Sequence, residues 1–324
     1  MNNEVKPLRA LSVNGPTASG KTALSLALAE HFLGELISCD SMQIYRGMDV
    51  GTAKATAAEQ ARARHHMIDV AEPTENYSVE SYRAAALAAV REITARGRLP
   101  IFVGGTGLYV DALLRRGQEG VPESDHAYRE KMLSEYTPDA LWQRLSEVDP
   151  ESAAIIHKNN VKRVLRALEI FDMTGVTKTE LDRLSREGSP EIAIGMTVID
   201  FHNRELLYRR IDERVDVMID MGLVAEVEGL LSRGLLPEGS TAAQAIGYKE
   251  LVRYLEGTCP LDEAIDGIKL ASRRYAKRQL TWFRHKEGAR IIYRDTEDGA
   301  LRPEEEFICE AVGVASELLE KITQ

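Results

Sequence analysis

The stretch GPTASGKT at residues 15–22 is an unbroken match to G-x-x-x-x-G-K-[ST], and its flanks decide how it reads. An apolar run at 8–13 precedes it and a helical pattern at 22–32 follows, with Leu24 and Leu28 one turn apart as on a helix packed against a sheet. Gly15 and Gly20 let the backbone wrap an anion closely, while Pro16, Thr17, Ala18 and Ser19 carry the loop between them. Loop N–H groups and the helix N-terminus face that anion. Lys21 adds a point charge and Thr22 a hydroxyl able to hold Mg²⁺. The ligand therefore carries a di- or triphosphate, and the core around it is α/β.

Further along, residues 36–39 read as a short buried strand ending at Asp40 and Ser41, at the sheet edge that faces the ligand crevice of a parallel α/β fold. A helix capped by Ser78 runs to Arg96, and a strand at 99–103 stops at the GGTG of residues 104–107. The strand–loop–helix rhythm predicts a P-loop NTPase-like core, a parallel sheet flanked by helices. It breaks after Leu114. Residues 116–190 are patterned as helix only, with turn signals at Thr137-Pro138 and Asp149-Pro150, which predicts an inserted all-helical lobe. Strand character returns at 192–200, and helices are expected at 205–221, 222–233, 243–256, 261–285 and 304–322, with an edge strand at 290–293. The expected organisation is core at 1–115, lobe at 116–190, and core again at 191–324.

The chain of 324 residues suits one core with an insertion. Its formal charge of −10 excludes a protein that coats nucleic acid through net charge, though local basic clusters remain open. Cys39, Cys259 and Cys309 are sparse and lack metal-ligand spacing, as in a reducing compartment. No run approaches a membrane span and the start has no apolar signal core, so a cytoplasmic protein is expected.

A nucleoside triphosphatase usually supplies a second acidic group from an apolar strand ending in Asp. Here the strand at 99–103 ends in glycines, and Asp40 is the carboxylate expected at a strand end near the loop. It reads as a Mg²⁺ ligand, a general base or a helix cap. Arg210 and Arg214, one turn apart, read as phosphate clamps or as a solvated face. The adjacent His65 and His66 have poor metal geometry and suit a structural loop. Two stretches are basic: KNNVKRVLR at 158–166, and RRYAKRQLTWFRHK at 273–286, which interleaves cations with Tyr275, Trp282 and Phe283 as a single-stranded RNA loop requires.

These segments together resemble a known family. GPTASGKT, DSMQIYRGMDVGTAK at 40–54, HHMID at 65–69, GGTGLY at 104–109, RALEI at 166–170, AIGYKEL at 245–251 and RRYAKRQLTWFR at 273–284 are similar, in order, to the bacterial tRNA dimethylallyltransferases. The resemblance implies transfer of a dimethylallyl group from dimethylallyl diphosphate to N6 of the adenosine 3′ of a tRNA anticodon, with the P-loop cradling the leaving diphosphate and Mg²⁺ at Thr22. It implies Asp40 as base, Thr106 and Lys21 as catalytic partners, and Arg210 and Arg214 on the phosphates. It implies that the anticodon stem-loop is gripped by Asp40, Ser41, Met42, Gln43, Thr106, Arg129, Lys162, Arg163, Val164, Leu165, Arg166, Gln244, Ala245, Ile246, Gly247, Tyr248 and Lys249. A monomer is expected. The chain departs from the family pattern in holding Gln244-Ala245 before Ile246, and it shows no zinc-finger pattern. A nucleoside or nucleotide kinase and a nucleotide-driven RNA-binding switch are the rival readings; adenine-nucleotide turnover and nucleotide-dependent RNA affinity are their signatures.

Overall fold

A computed structural model describes residues 7–115, 122, 124–185 and 190–323. Six strands form one all-parallel sheet: β1 (Leu8–Asn14), β2 (Gly34–Ser38), β3 (His65–His66), β4 (Leu99–Gly104), β5 (Ile192–Asp200) and β6 (Arg290–Tyr293), in the order β3-β2-β4-β1-β5-β6. Period-two alternation sends neighbouring residues of β1 to opposite faces. Ala10 packs with Tyr82, Val90 and Ile93 of helix Val79–Ala95, whereas Leu11 and Val13 pack with Leu24 and Leu28 of helix Lys21–His31 and with Ala311 and Leu318 of helix Glu304–Lys321. Both faces are covered, as a parallel sheet requires.

The described chain divides into two compact units, one of Met1–Leu114 with Glu191–Gln324 and the other of Arg115–Pro190. Among the described residues the second holds five helices, His126–Glu135, Pro138–Val148, Pro150–Ile155, Val161–Thr174 and Lys178–Leu184. Thr137-Pro138 and Asp149-Pro150 are more than turns: Thr137 and Asp149 cap helix N-termini and the prolines take the first helical position, where no N–H is needed. Leu141, Leu145, Val164, Leu165 and Leu168 form this unit's own core.

Three local expectations change. The single helix expected at 243–256 is a 3₁₀ turn, Ala242–Gln244, followed by helix Tyr248–Leu255, because Gly247 adopts φ +96°. Residues 65 and 66 pair with β2 as a short edge strand instead of lying in a loop, and His66 Nε2 meets Glu35 Oε2 at 2.7 Å. A further short helix, Ala57–Arg62, is closed by a Thr56/Glu59 capping box that the apolar pattern does not signal.

Candidate active site

The C-terminal ends of β1, β2, β4 and β5 bring together the P-loop, Asp40, the Gly104–Gly107 turn and Asp200. Gly15 (φ +148°) lies so close to β5 that an added Cβ would stand 2.8 Å from the Ile199 carbonyl oxygen. Gly20 (φ +94°) turns the loop into helix Lys21–His31. Lys21 folds back over the loop and its Nζ donates to the Pro16 carbonyl at 2.5 Å. Burial, then the nearby Arg214, push the Lys21 ammonium down to about 7, and Asp40 opposes them.

Arg210 and Arg214 belong to the loop and not to a solvated face. Helix Arg204–Asp220 packs Leu207 and Ile211 against Ala18 and Phe201, which brings Arg210 Nε to the Ala18 carbonyl at 3.0 Å. Burial pulls the Arg214 guanidinium down while Asp40 holds it up and Arg210 pushes it further down. Arg214 Nε and Ser19 Oγ are buried with no hydrogen-bond partner among the described residues. Unsatisfied buried polar atoms are costly, by about 1–3 kcal/mol each, and here they line a loop built for an anion.

Asp40 accepts from the Met42 N–H through Oδ1 at 2.9 Å, and Oδ2 has no protein donor among the described residues. Thr106 Oγ1 accepts from the Ser41 N–H at 3.1 Å and lies 3.4 Å from Ser41 Oγ, while the Thr106 N–H bonds the Cys39 carbonyl at 3.1 Å, so β2 and the glycine turn hold each other. Gln43 accepts from Ser38 Oγ at 2.8 Å and donates to the carbonyls of Thr52 and Ala53 at 3.2 and 3.3 Å. Met42 packs into the neighbouring apolar cluster.

Sequence reasoning missed Gln279. Its Oε1 accepts from the Thr17 N–H at 3.0 Å and its Nε2 donates to the Gly105 carbonyl at 3.0 Å, so one buried amide fastens the P-loop to the glycine turn. A Cβ on Gly105 would meet Nε2 at 1.9 Å, so any larger residue there has to displace the Gln279 amide. The signal was present: Gln279 is a polar residue on the face of helix Leu261–Arg284 that otherwise buries Ala276, Leu280 and Phe283. The hydroxyl of Tyr275, one of the aromatic residues of the basic stretch, lies among Thr106, Gln279 and Asp40. Burial first, then Asp40, push that phenol up to about 12, against the bond with Thr106. Asp200 was missed as a second strand-end carboxylate beside the loop. Arg284 Nε and Nη2 bond it at 2.6 and 2.8 Å and the Phe201 N–H at 2.7 Å, so its oxygens are occupied.

The remaining sites implied by resemblance separate by exposure. Lys162 and Arg163 are exposed, whereas Val164 and Leu165 fill the helical core and have no side-chain surface to offer an RNA. Arg129 and Arg166 reach the fully buried Glu169, at 2.8 and 2.6 Å, and the Asp125 N–H bonds the same carboxylate at 2.6 Å. Burial pushes Glu169 up, yet the bonds from Arg129 and Arg166 leave it below its ordinary value. Gln244 and Lys249 are exposed, Ile246 is half-buried, and Ala245, Gly247 and Tyr248 are buried. Tyr248 donates to Glu226 at 2.6 Å, and Glu226 accepts from the N–H groups of Asp49, Val50 and Gly51.

A loop of the P-loop type at the end of a parallel sheet, with Lys21 and Arg210 bonded to its carbonyls and Asp40 beside them with Oδ2 unengaged among the described residues, defines the class as a P-loop α/β protein. Residues 43–286 match the IPP transferase family. A tRNA dimethylallyltransferase of Pelotomaculum thermopropionicum is 46% identical over 288 residues, covering 88% of this chain and 90% of that one. The full-length tRNA isopentenylpyrophosphate transferase of Bacillus halodurans superposes with a TM-score of 0.72 at 42% identity over 98% of both chains. A eukaryotic dimethylallyltransferase solved while acting on tRNA superposes with a TM-score of 0.77 at 28% identity, over 88% of this chain and 73% of that one. The chain belongs to the IPP transferase family and is a transferase. Among the described residues no helix is long and apolar enough to cross a membrane.

Proposed function

We propose that this protein transfers a dimethylallyl group from dimethylallyl diphosphate to the exocyclic N6 of the adenosine 3′ of a tRNA anticodon, acting in the cytoplasm as a monomer. The observation that carries the mechanism is the placement of Asp40, close enough to Lys21 and Arg214 to act on both electrostatically and with Oδ2 unengaged.

Adenine N6 is a weak nucleophile because its lone pair is delocalised into the ring. As the N6–C1 bond forms, Asp40 Oδ2 takes the N6 proton, and the C1–O bond breaks to release diphosphate. Lys21, Arg210, Arg214 and the loop N–H groups stabilise the charge that develops on the departing oxygen, the position where preorganised donors count most. Thr106 is fixed by Cys39 and Ser41 and orients the amine beside Asp40. The RNA contacts assigned to Ser41, Met42, Gln43, Lys162, Arg163, Gln244 and Lys249 belong to the same proposal, and those of Arg129 and Arg166 act through backbone and shape more than through free guanidinium groups.

No three His, Cys, Asp or Glu side chains converge as a closed metal cage among the described residues. Mg²⁺ held by a hydroxyl, a carboxylate and the oxygens of a bound diphosphate needs none. Thr22, Asp40 and the unpartnered Ser19 Oγ fit that open arrangement. Bound there, the ion would supply neutralisation of the leaving diphosphate.

The test is mass spectrometry of anticodon-loop nucleosides after incubation with unmodified tRNA, dimethylallyl diphosphate and Mg²⁺, without ATP. A prenylated adenosine is the expected product. Strict ATP dependence with no prenyl group on the RNA would replace this reading with that of a kinase.

A further inference from the structure

We propose that Arg294 is a further positioning residue for the diphosphate, a guanidinium held beside the P-loop at Gly20 that bonds no carboxylate and takes its counter-charge from the bound anion. The inference rests on the reading that the P-loop holds a diphosphate. Arg294 follows strand β6. The alternation that sends Ile292 into the core with Leu28 and Ala311 sends Arg294 to the same face one step further on, where helix Lys21–His31 begins. Its backbone is fixed on both sides, the N–H bonding the Asp200 carbonyl at 2.9 Å and the carbonyl accepting from the Arg302 N–H at 3.1 Å.

Arg294 is only 7% exposed. Among the described residues its guanidinium makes one hydrogen bond, from Nη1 to the Arg302 carbonyl, and it lies over the Phe307 ring at 5.0 Å. The carboxylates that adjoin it in the sheet and the chain are engaged elsewhere. Asp200 is held by Arg284 at 2.6 Å, and Asp295 accepts from the N–H groups of His202 and Asn203 at 2.9 and 2.8 Å. Burial pushes the Arg294 guanidinium down and Arg210 pushes the same way, while Glu304, which forms no ion pair with it, opposes them. A charge buried without a bonded counter-charge is unfavourable, and an anion in the neighbouring loop relieves it.

The loop is close enough to be that partner. An added Cβ on Gly20 would stand 3.9 Å from Arg294 Nε. Gly20 is where the loop passes into helix Lys21–His31, so Arg294 stands at the helix end whose N–H groups face an anion. Arg210, bonded to the Ala18 carbonyl at 3.0 Å, flanks the same short run of loop and repels Arg294. Like charges brought together against residues 18–20 gather a positive potential that a multiply charged anion answers. Arg294 approaches Gly20 from its Cβ side and is held on Phe307, so it acts on the anion through its field, which burial leaves little screened.

The experiment measures affinity for inorganic diphosphate and inorganic phosphate by calorimetry in wild type and Arg294→Met, which keeps a stem against Phe307 and removes the charge. The unfolding midpoint of the unligated proteins is measured alongside. We expect R294M to bind diphosphate about 10- to 50-fold more weakly and phosphate only about 2- to 5-fold more weakly, because the field acts in proportion to ligand charge. The midpoint should hold or rise, since a buried charge without a bonded partner has been removed. KM for dimethylallyl diphosphate should rise by the diphosphate factor with kcat little changed, the pattern of lost binding common to ground and transition states. Arg294→Lys keeps the charge and should retain most of the diphosphate affinity. Wild-type diphosphate affinity in R294M, or equal losses for both anions with a lowered midpoint, makes Arg294 a packing residue and overturns the proposal. If R294M does not fold, R294K decides, and a folded R294K with diphosphate affinity reduced 10-fold or more overturns it equally. A wild type that binds no diphosphate overturns the reading of the P-loop, and this assignment with it.

Discussion

Lys21 sits in the loop it serves with an ammonium held near 7 by burial and by Arg214, so its charge depends on pH where most lysines do not titrate. A bound diphosphate favours the protonated form and raises that value. Below about 7 the free protein already carries the proton and affinity is flat; above it, binding has to take up a proton. Affinity for dimethylallyl diphosphate should therefore weaken as pH rises above 7, by up to about tenfold per pH unit, with proton uptake visible by calorimetry in buffers of different ionisation heat. Lys21→Met should bind weakly at every pH and lose the dependence. Asp40→Asn keeps the shape and the Met42 contact but removes the proton acceptor. Turnover should drop by about 10² to 10⁴ while tRNA affinity hardly changes, as single-turnover kinetics and a binding titration would show. Near-normal turnover would reduce Asp40 to a cap for the turn after β2.

Single elements fasten the parts of the site to one another. Helix Leu261–Arg284 carries Gln279, whose amide satisfies the Thr17 N–H and the Gly105 carbonyl at once. Gln279→Ala leaves both without that partner, and we expect a loss of about 1–3 kcal/mol in stability together with weaker diphosphate binding. Denaturant titration and a diphosphate titration check the pair of effects. Helix Val161–Thr174 carries Glu169, buried between Arg129 and Arg166. Removing one member of such a buried cluster strands the others, so Glu169→Ala should cost about 3–5 kcal/mol, read by the unfolding of the helical unit. The Glu169 carboxyl is held below its ordinary value of 4.5, so its contribution is complete above that pH and fades as the pH falls through the lowered value. Stability lost on raising the pH through neutrality would contradict this assignment.

Across the whole molecule, the P-loop that we propose holds the diphosphate lies in the sheet-bearing unit, whereas the exposed Lys162 and Arg163 belong to the helical one. Lys162→Ala with Arg163→Ala should weaken tRNA binding, flatten the salt slope by about 1.5 to 2, and leave heat protection by dimethylallyl diphosphate intact. Wild-type affinity and slope in that double variant would mark the helix as a solvated surface. Arg166 is best left out of the experiment, because its bond to Glu169 would confuse lost stability with lost RNA contact.

The sequence alone determined the parts of this protein whose signals are local. A glycine-rich loop between a strand and a helix announces a phosphate cradle, and strand β5 falls at residues 192–200 as its apolar alternation implies. The helical insertion is legible because its caps and periodicity are local too. The order of the sheet, the attachment of Arg210 to Ala18 across 192 residues of sequence, and the Gln279 bridge were decided only by tertiary structure. The same holds for the sorting of basic residues: Arg166 and Lys162 share a helix and a charge, yet one is bound to a buried carboxylate and the other is exposed. A side chain's type and spacing fix what it is able to do. Which of its possible partners it meets depends on packing between segments far apart in the chain, and that is settled only when the core closes.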